Sequence, residues 1–216
     1  MSYILLNTNT ESIWTLLGKG GPIMIPLGML FALVLFFSIE RWLVLRKLNA
    51  QLDEQFMIMI RDHIVSGNLN AAKSLSKNTH GPVARMIEKG IQRIGKPIDS
   101  IEKSMENVGK LELFKMEKNL GVISVISRIA PLFGFVGTII GLVMLLKTFA
   151  AKANPSISEI ADDMYVKLIS SATGLIIGML AFMFYHYLDT QINKLANRME
   201  SASTEFLDIL QEPTKN

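Results

Sequence analysis

Residues 129–149 read IAPLFGFVGTIIGLVMLLKTF, a run whose one charge, Lys147, lies close to its end. A helix needs about 20 mainly apolar residues to cross about 30 Å of hydrocarbon. This run meets the requirement and predicts a membrane-spanning helix. Its composition is uneven, however. Gly134, Gly137, Thr138 and Gly141 crowd one side, with a GxxxG pair at 137 and 141. A helix facing only lipid has no use for such a stripe, whereas small residues let two helix backbones approach closely.

Working outward, two more stretches qualify as spans. Residues 22–39 read PIMIPLGMLFALVLFFSI, and residues 168–187 read LISSATGLIIGMLAFMFYHY. The first lacks the basic start and small-residue cleavage site of a signal peptide, because Glu40-Arg41-Trp42 follows it. It reads as an uncleaved span. The third repeats the small-residue stripe through Ser170, Ser171, Gly174 and Gly178, with a GxxxG pair at 174 and 178. The expected fold is therefore an all-α integral membrane protein with three transmembrane helices and long cytoplasmic helical extensions.

Composition agrees. Of 216 residues, 50% are apolar and 19% are charged, against about 25% charge in ordinary soluble domains. There are no cysteines, which removes disulfide scaffolds and thiolate chemistry. His63, His80 and His186 are too scattered to suggest a metal cluster. No metal, no cofactor and no enzymatic site is expected. The net charge of +3 reads as cytoplasmic loop charge, not as a nucleic-acid surface.

Residues 45–118 hold thirteen Lys and Arg, residues 1–21 only Lys19, and residues 150–158 only Lys152. The positive-inside rule then places 45–118 in the cytoplasm and the N-terminus outside. The expected organisation is an outer N-terminal segment over 1–21, a first membrane helix over 22–44, and a cytoplasmic helical domain over 45–118. A second membrane helix with a cytoplasmic extension follows over 119–149, then an outer hairpin over 150–158. A third membrane helix over 159–190 leads to a cytoplasmic C-terminal helix and tail over 191–216. Trp42 suits the interfacial aromatic belt, with Trp14 on the other side of the first span.

Short helices are expected over 50–94, broken at Gly67-Asn68 and His80-Gly81-Pro82. Beyond Pro97, Ile98, Ile101, Met105, Val108 and Leu111 recur at helical spacing, and no proline intervenes until Pro131. That pattern predicts one unbroken helix from 98 to 149, about 75 Å long at 1.5 Å per residue. The third span is expected to overrun the membrane through Ile192, Leu195, Met199, Ala202, Phe206 and Leu210.

The spans carry hydroxyls but no acid. No Asp or Glu occurs between Lys118 and Ser158, nor between Tyr165 and Leu188. A proton path usually needs an ionisable relay, and such groups are costly inside a bilayer. Either the chain conducts nothing or another polypeptide supplies the acid. Lys167 falls near the outer end of the third span, on the face of Ser171 and Gly174. It reads as a snorkelling side chain, a partner of Asp163, or a charge at a pore mouth. Arg128 and Lys147 read as snorkelling anchors, and His186 and Asp189 as interfacial groups.

Taken together, these residues resemble the MotA/TolQ/ExbB proton channel family, in its ExbB/TolQ branch. The likeness runs over roughly residues 20–190. It rests on GGPIMIPL at 20–27 with Glu40-Arg41 and Leu45-Arg46, on GPVA at 81–84, and on ELFKMEKNL at 112–120. Its most specific part is 129–141, which looks like an AP-x-x-G-x-x-GT-x-x-G signature, and Ser170 to Leu175 (SSATGL) resembles a second one. The resemblance implies a homopentameric ring in a bacterial inner membrane, with the N-terminus periplasmic and the C-terminus cytoplasmic. The second and third spans would line a pore through Thr138, Ser171, Thr173 and Lys167, and Gly134, Gly137, Gly141, Gly174 and Gly178 would serve helix packing. The pore would hold single-span helices of an ExbD/TolR-like partner that brings the membrane aspartate. A TonB- or TolA-like protein would receive the motion. The chain departs from the family pattern at Val166, where a glutamate is expected, and at Lys167, where a small residue is. Asp162 or Asp163 are candidate substitutes for that glutamate. A motility stator, or a passive membrane scaffold whose small residues only pack, are the alternatives.

Overall fold

The computed structural model describes residues 20–50, 54–151 and 157–211, with the side chains at 50, 54, 157–159, 162, 163 and 166 outside that description. The described residues form seven helices and no strand: α1 Met24–Ala50, α2 Glu54–Val65, α3 Leu69–Asn78, α4 Pro82–Ile91, α5 Ile98–Glu117, α6 Leu120–Ala151 and α7 Ile157–Gln211. Helices α1, α6 and α7 are long and apolar enough to cross a membrane. The expected N-terminal segment, most of the 150–158 hairpin and the last five residues lie outside the described residues, as does Trp14.

The chain divides into two compact units. One holds the chain up to Phe37 together with Gly121–Tyr185, and the other holds Ser38–Leu120 together with the chain from His186. In the first unit many large apolar side chains point outward, although Leu27, Val34, Ile123, Ile126, Leu145 and Ile177 are buried. Ile25, Met29 and Phe36 on α1, Phe135 and Leu146 on α6, and Ile176, Met179 and Met183 on α7 are all exposed. Lipid tails are as apolar as these side chains, so nothing drives them inward. Small residues are buried in this unit too: Gly134, Gly137, Gly141, Ser170, Gly174 and Gly178.

The second unit is built as a water-soluble domain would be. Asn68 caps α3 by accepting a hydrogen bond from the Ala71 amide at 3.1 Å. Gly81, at φ 131°, allows the sharp entry to α4, and Pro82 starts it without a missing donor. Helix α4 buries Val83, Ala84, Met86, Ile87 and Ile91. Its Gly90 lies against the tips of Met105 and Phe206, each 2.6 Å from where a Cβ would stand. Ile192, Leu195, Met199, Ala202 and Phe206 form the buried stripe of α7 here, and Ile209, not Leu210, ends it. Helix α7 runs unbroken over 55 residues, about 80 Å at 1.5 Å per residue.

The single helix expected from 98 to 149 is corrected: the chain breaks between α5 and α6. Lys118 leaves helical geometry at ψ 135°, and Asn119 adopts φ 63°, a left-handed conformation that asparagine tolerates better than most residues. The break is held from α1. Arg41, only 4% exposed, donates from Nη1 to the Lys115 carbonyl at 3.0 Å and the Met116 carbonyl at 3.5 Å. These are carbonyls in the last turn of α5, which lack helical partners. Glu40 accepts from Arg41 Nη2 at 3.1 Å with one oxygen and from Asn119 Nδ2 at 3.0 Å with the other. Two adjacent residues of α1 and Asn119, more than 70 positions away, thus replace the missing turn. The buried Glu112 joins α4 to α5, accepting from Arg85 Nη1 at 2.8–2.9 Å and from Lys115 Nζ at 2.7 Å.

Candidate functional site

The small residues of α6 and α7 meet along one antiparallel seam. A Cβ added at Gly174 would stand 2.6 Å from the Ala130 carbonyl oxygen and 2.9 Å from the Gly134 Cα. One added at Gly134 would stand 3.0 Å from the carbonyl oxygens of both Ser170 and Ser171. Gly178 lies against the Pro131 ring and the Ser127 carbonyl. Proline at 131 has no N–H to give the carbonyl four residues earlier, so the Ser127 oxygen lacks its helical donor and faces α7. At the other end of the seam, Gly137 lies against Ser170 and Ile23, and Gly141 lies beneath the aliphatic stem of Lys167. Each step forward on α6 is a step back on α7. Backbone contact this close is possible only where both surfaces lack side chains.

The hydroxyls divide into two kinds. Ser170 is 1% exposed and donates to the Lys167 carbonyl at 2.8 Å. Thr173 donates to the Ile169 carbonyl at 2.8 Å. Both are satisfied by their own helix. Thr138 reaches the Gly134 carbonyl only at 3.4 Å, a long contact for a hydroxyl donor. Ser171 is half-buried, and no hydrogen bond to another described residue engages its hydroxyl.

A cavity of about 200 Å³ opens beside the seam, lined by Thr138, Gly141, Leu142, Leu145, Met164, Lys167 and Leu168. The structure therefore brings Thr138, Gly141 and Lys167 together. Ser171 lies one turn further along α7 from Lys167, against Gly134. Thr173 is turned roughly 100° from Gly174 and does not line the cavity. Among the described residues the walls are apolar apart from the Thr138 hydroxyl and the Lys167 side chain, and none of these residues is a carboxylate. Among the described residues no group of three His, Cys, Asp or Glu could hold a metal ion. The side chains of Asp162, Asp163 and Val166 lie outside the described residues.

Two features escaped the sequence reading. Ser170 is the hydroxyl buried against Gly137, although it is adjacent to Ser171 and chemically identical. Only the register of α6 on α7 distinguishes them, and no pattern within one strand of sequence carries that register. Arg41 follows the first apolar run in sequence, with nothing there to mark it as buried. It is a buried helix cap, and no local sequence signal shows it, because its partners lie more than 70 positions away.

Comparison with known proteins follows the same lines. The chain is 24% identical over 163 residues to an ExbB homolog named for biopolymer transport in Methanothermobacter thermautotrophicus, covering 76% of this chain and 58% of that one. It is 24% identical over 173 residues to a second protein so named, ExbB-like 1 of Synechocystis, covering 79% of this chain and 68% of that one. The chain thus spans less than two thirds of the archaeal relative. Residues 78–201, more than half of the chain, match the profile of the MotA/TolQ/ExbB proton channel family, and they take in α4, α5, α6 and the seam with most of α7. With three helices able to cross a bilayer and this match, the chain is a multi-pass membrane protein belonging to the MotA/TolQ/ExbB proton channel family.

Proposed function

We propose that this protein is the ring subunit of an inner-membrane motor driven by protons. It would couple proton motive force to TonB-dependent transport across the outer membrane, or to Tol-Pal envelope maintenance, and it would not act as an enzyme. The observation that carries the reading is the cavity beside Thr138: among the described residues it holds a weakly engaged hydroxyl and a lysine in apolar walls, with no carboxylate. A relay with that composition is incomplete and calls for an acid from outside the chain. A single-span partner of the ExbD/TolR kind would bring it into a pentameric ring, and a TonB- or TolA-like protein would carry the work onward. Thr138 and Ser171, the two seam hydroxyls least engaged by their own helices, would line the path, while the five seam glycines hold α6 on α7. Moving one charge down about 100 mV releases about 2.3 kcal/mol, so a few protons suffice for a conformational step.

The joint replacement Thr138→Ala and Ser171→Ala tests this. Both residues leave the seam glycines untouched, so assembly should persist while energy-coupled uptake is abolished. Full transport by the double variant would remove both hydroxyls from the mechanism.

A further inference from the structure

The cavity beside Thr138 has a sign of charge. The stem of Lys167 lies across Gly141, where the absence of a side chain leaves it a bed. Thr138 stands three residues before Gly141 on the same helix, roughly 5 Å along the axis. A cation at the Thr138 hydroxyl would therefore stand about one helical turn from the stem that carries the ammonium. None of the described residues lining the cavity bears a compensating carboxylate. Like charges at that separation repel strongly where water and counterions are scarce. A metal cation cannot shed its charge to pass. A proton can, because a titrating carboxylate carries it as a neutral acid, so it need not rest beside the ammonium as a cation.

We propose that Lys167 sets ion selectivity: its positive charge next to Thr138 bars sodium and other metal cations from the path that protons use. The inference rests on the proton-path reading above and names the residue that chooses the ion. Gly141 is part of the device, because any side chain there would push the lysine off its bed.

The experiment uses the complex purified from its own membranes and placed in liposomes. Proton entry is followed with an internal pH dye and sodium entry with a radioactive tracer, both under an imposed potential. The wild type and Lys167→Arg, which keeps the charge, should pass protons and exclude sodium. Lys167→Gln should raise sodium entry relative to proton entry at least about tenfold. Lys167→Gln complexes that elute like wild type and remain as tight to sodium overturn the role given to Lys167. A wild-type complex with no proton flux at all overturns the path itself, and this inference with it, so the two failures are told apart.

Discussion

Gly134 and Gly174 meet backbone to backbone, so that a Cβ on Gly174 would stand 2.9 Å from the Gly134 Cα. Neither helix can move aside at that point without opening the seam along its length, because Gly178 and Gly137 are in similar contact on either side. Gly174→Leu should therefore lower the thermal midpoint of the purified protein in detergent, with an overpacking cost of about 1–3 kcal/mol or more. Gly28→Ala is the control. It lies in α1 with nothing within 4 Å of its added Cβ, and it should leave the midpoint unchanged or raise it slightly.

The Arg41 cap predicts a local defect. Arg41→Ala leaves the Lys115 and Met116 carbonyls without their donor, at a cost of about 1–3 kcal/mol. Limited proteolysis should then open a new cleavage site near residues 115–120. Lysine should not rescue it, since a single ammonium cannot hold Glu40 and the α5 carbonyls with the same fork geometry. A variant as resistant as wild type would mean the break is held by other contacts.

Asn119 offers a backbone test of the same joint. Its φ of 63° costs a branched residue roughly 1–2 kcal/mol more than glycine. Asn119→Val should destabilise clearly, whereas Asn119→Gly should lose only the bond to Glu40. Equal melting of the two variants would show that the conformation is not strained.

Glu112 is buried between Arg85 and Lys115. Glu112→Ala should destabilise by about 1–3 kcal/mol, and Arg85→Met by less, because Arg85 is half exposed and Lys115 still serves the carboxylate. Chemical denaturation of the two variants side by side gives the order. A larger loss for Arg85→Met would reverse the assignment.

Gly141 and Lys167 should couple. A Cβ at 141 overlaps the lysine stem, so Gly141→Ala should cost stability alone but little in a Lys167→Ala background. Residues in contact give non-additive effects in such cycles. Additive effects would show that the stem is not held on Gly141.

Much of this fold is legible residue by residue. The apolar runs at 22–39, 129–149 and 168–187 need no partner to be read, because hydrocarbon thickness alone demands their length. The stripes Gly134–Gly141 and Ser170–Gly178 likewise announce close helix contact. Asn68 and Gly81-Pro82 mark helix starts by local chemistry. The break at Lys118-Asn119 is different. Asparagine tolerates either conformation, and the apolar spacing on both sides is helical, so only the arrival of Glu40 and Arg41 from α1 settles the matter.

The same division runs through the site. That hydroxyls and glycines line two spans, and that no acid accompanies them, follows from the order of the residues, since composition within a span is a local property. Which serine is buried and which is open, and that Lys167 rests on Gly141 beside Thr138, follows from how α6 meets α7. Contact between residues 26 positions apart depends on register and rotation, and those are properties of two helices together, which neither helix encodes by itself.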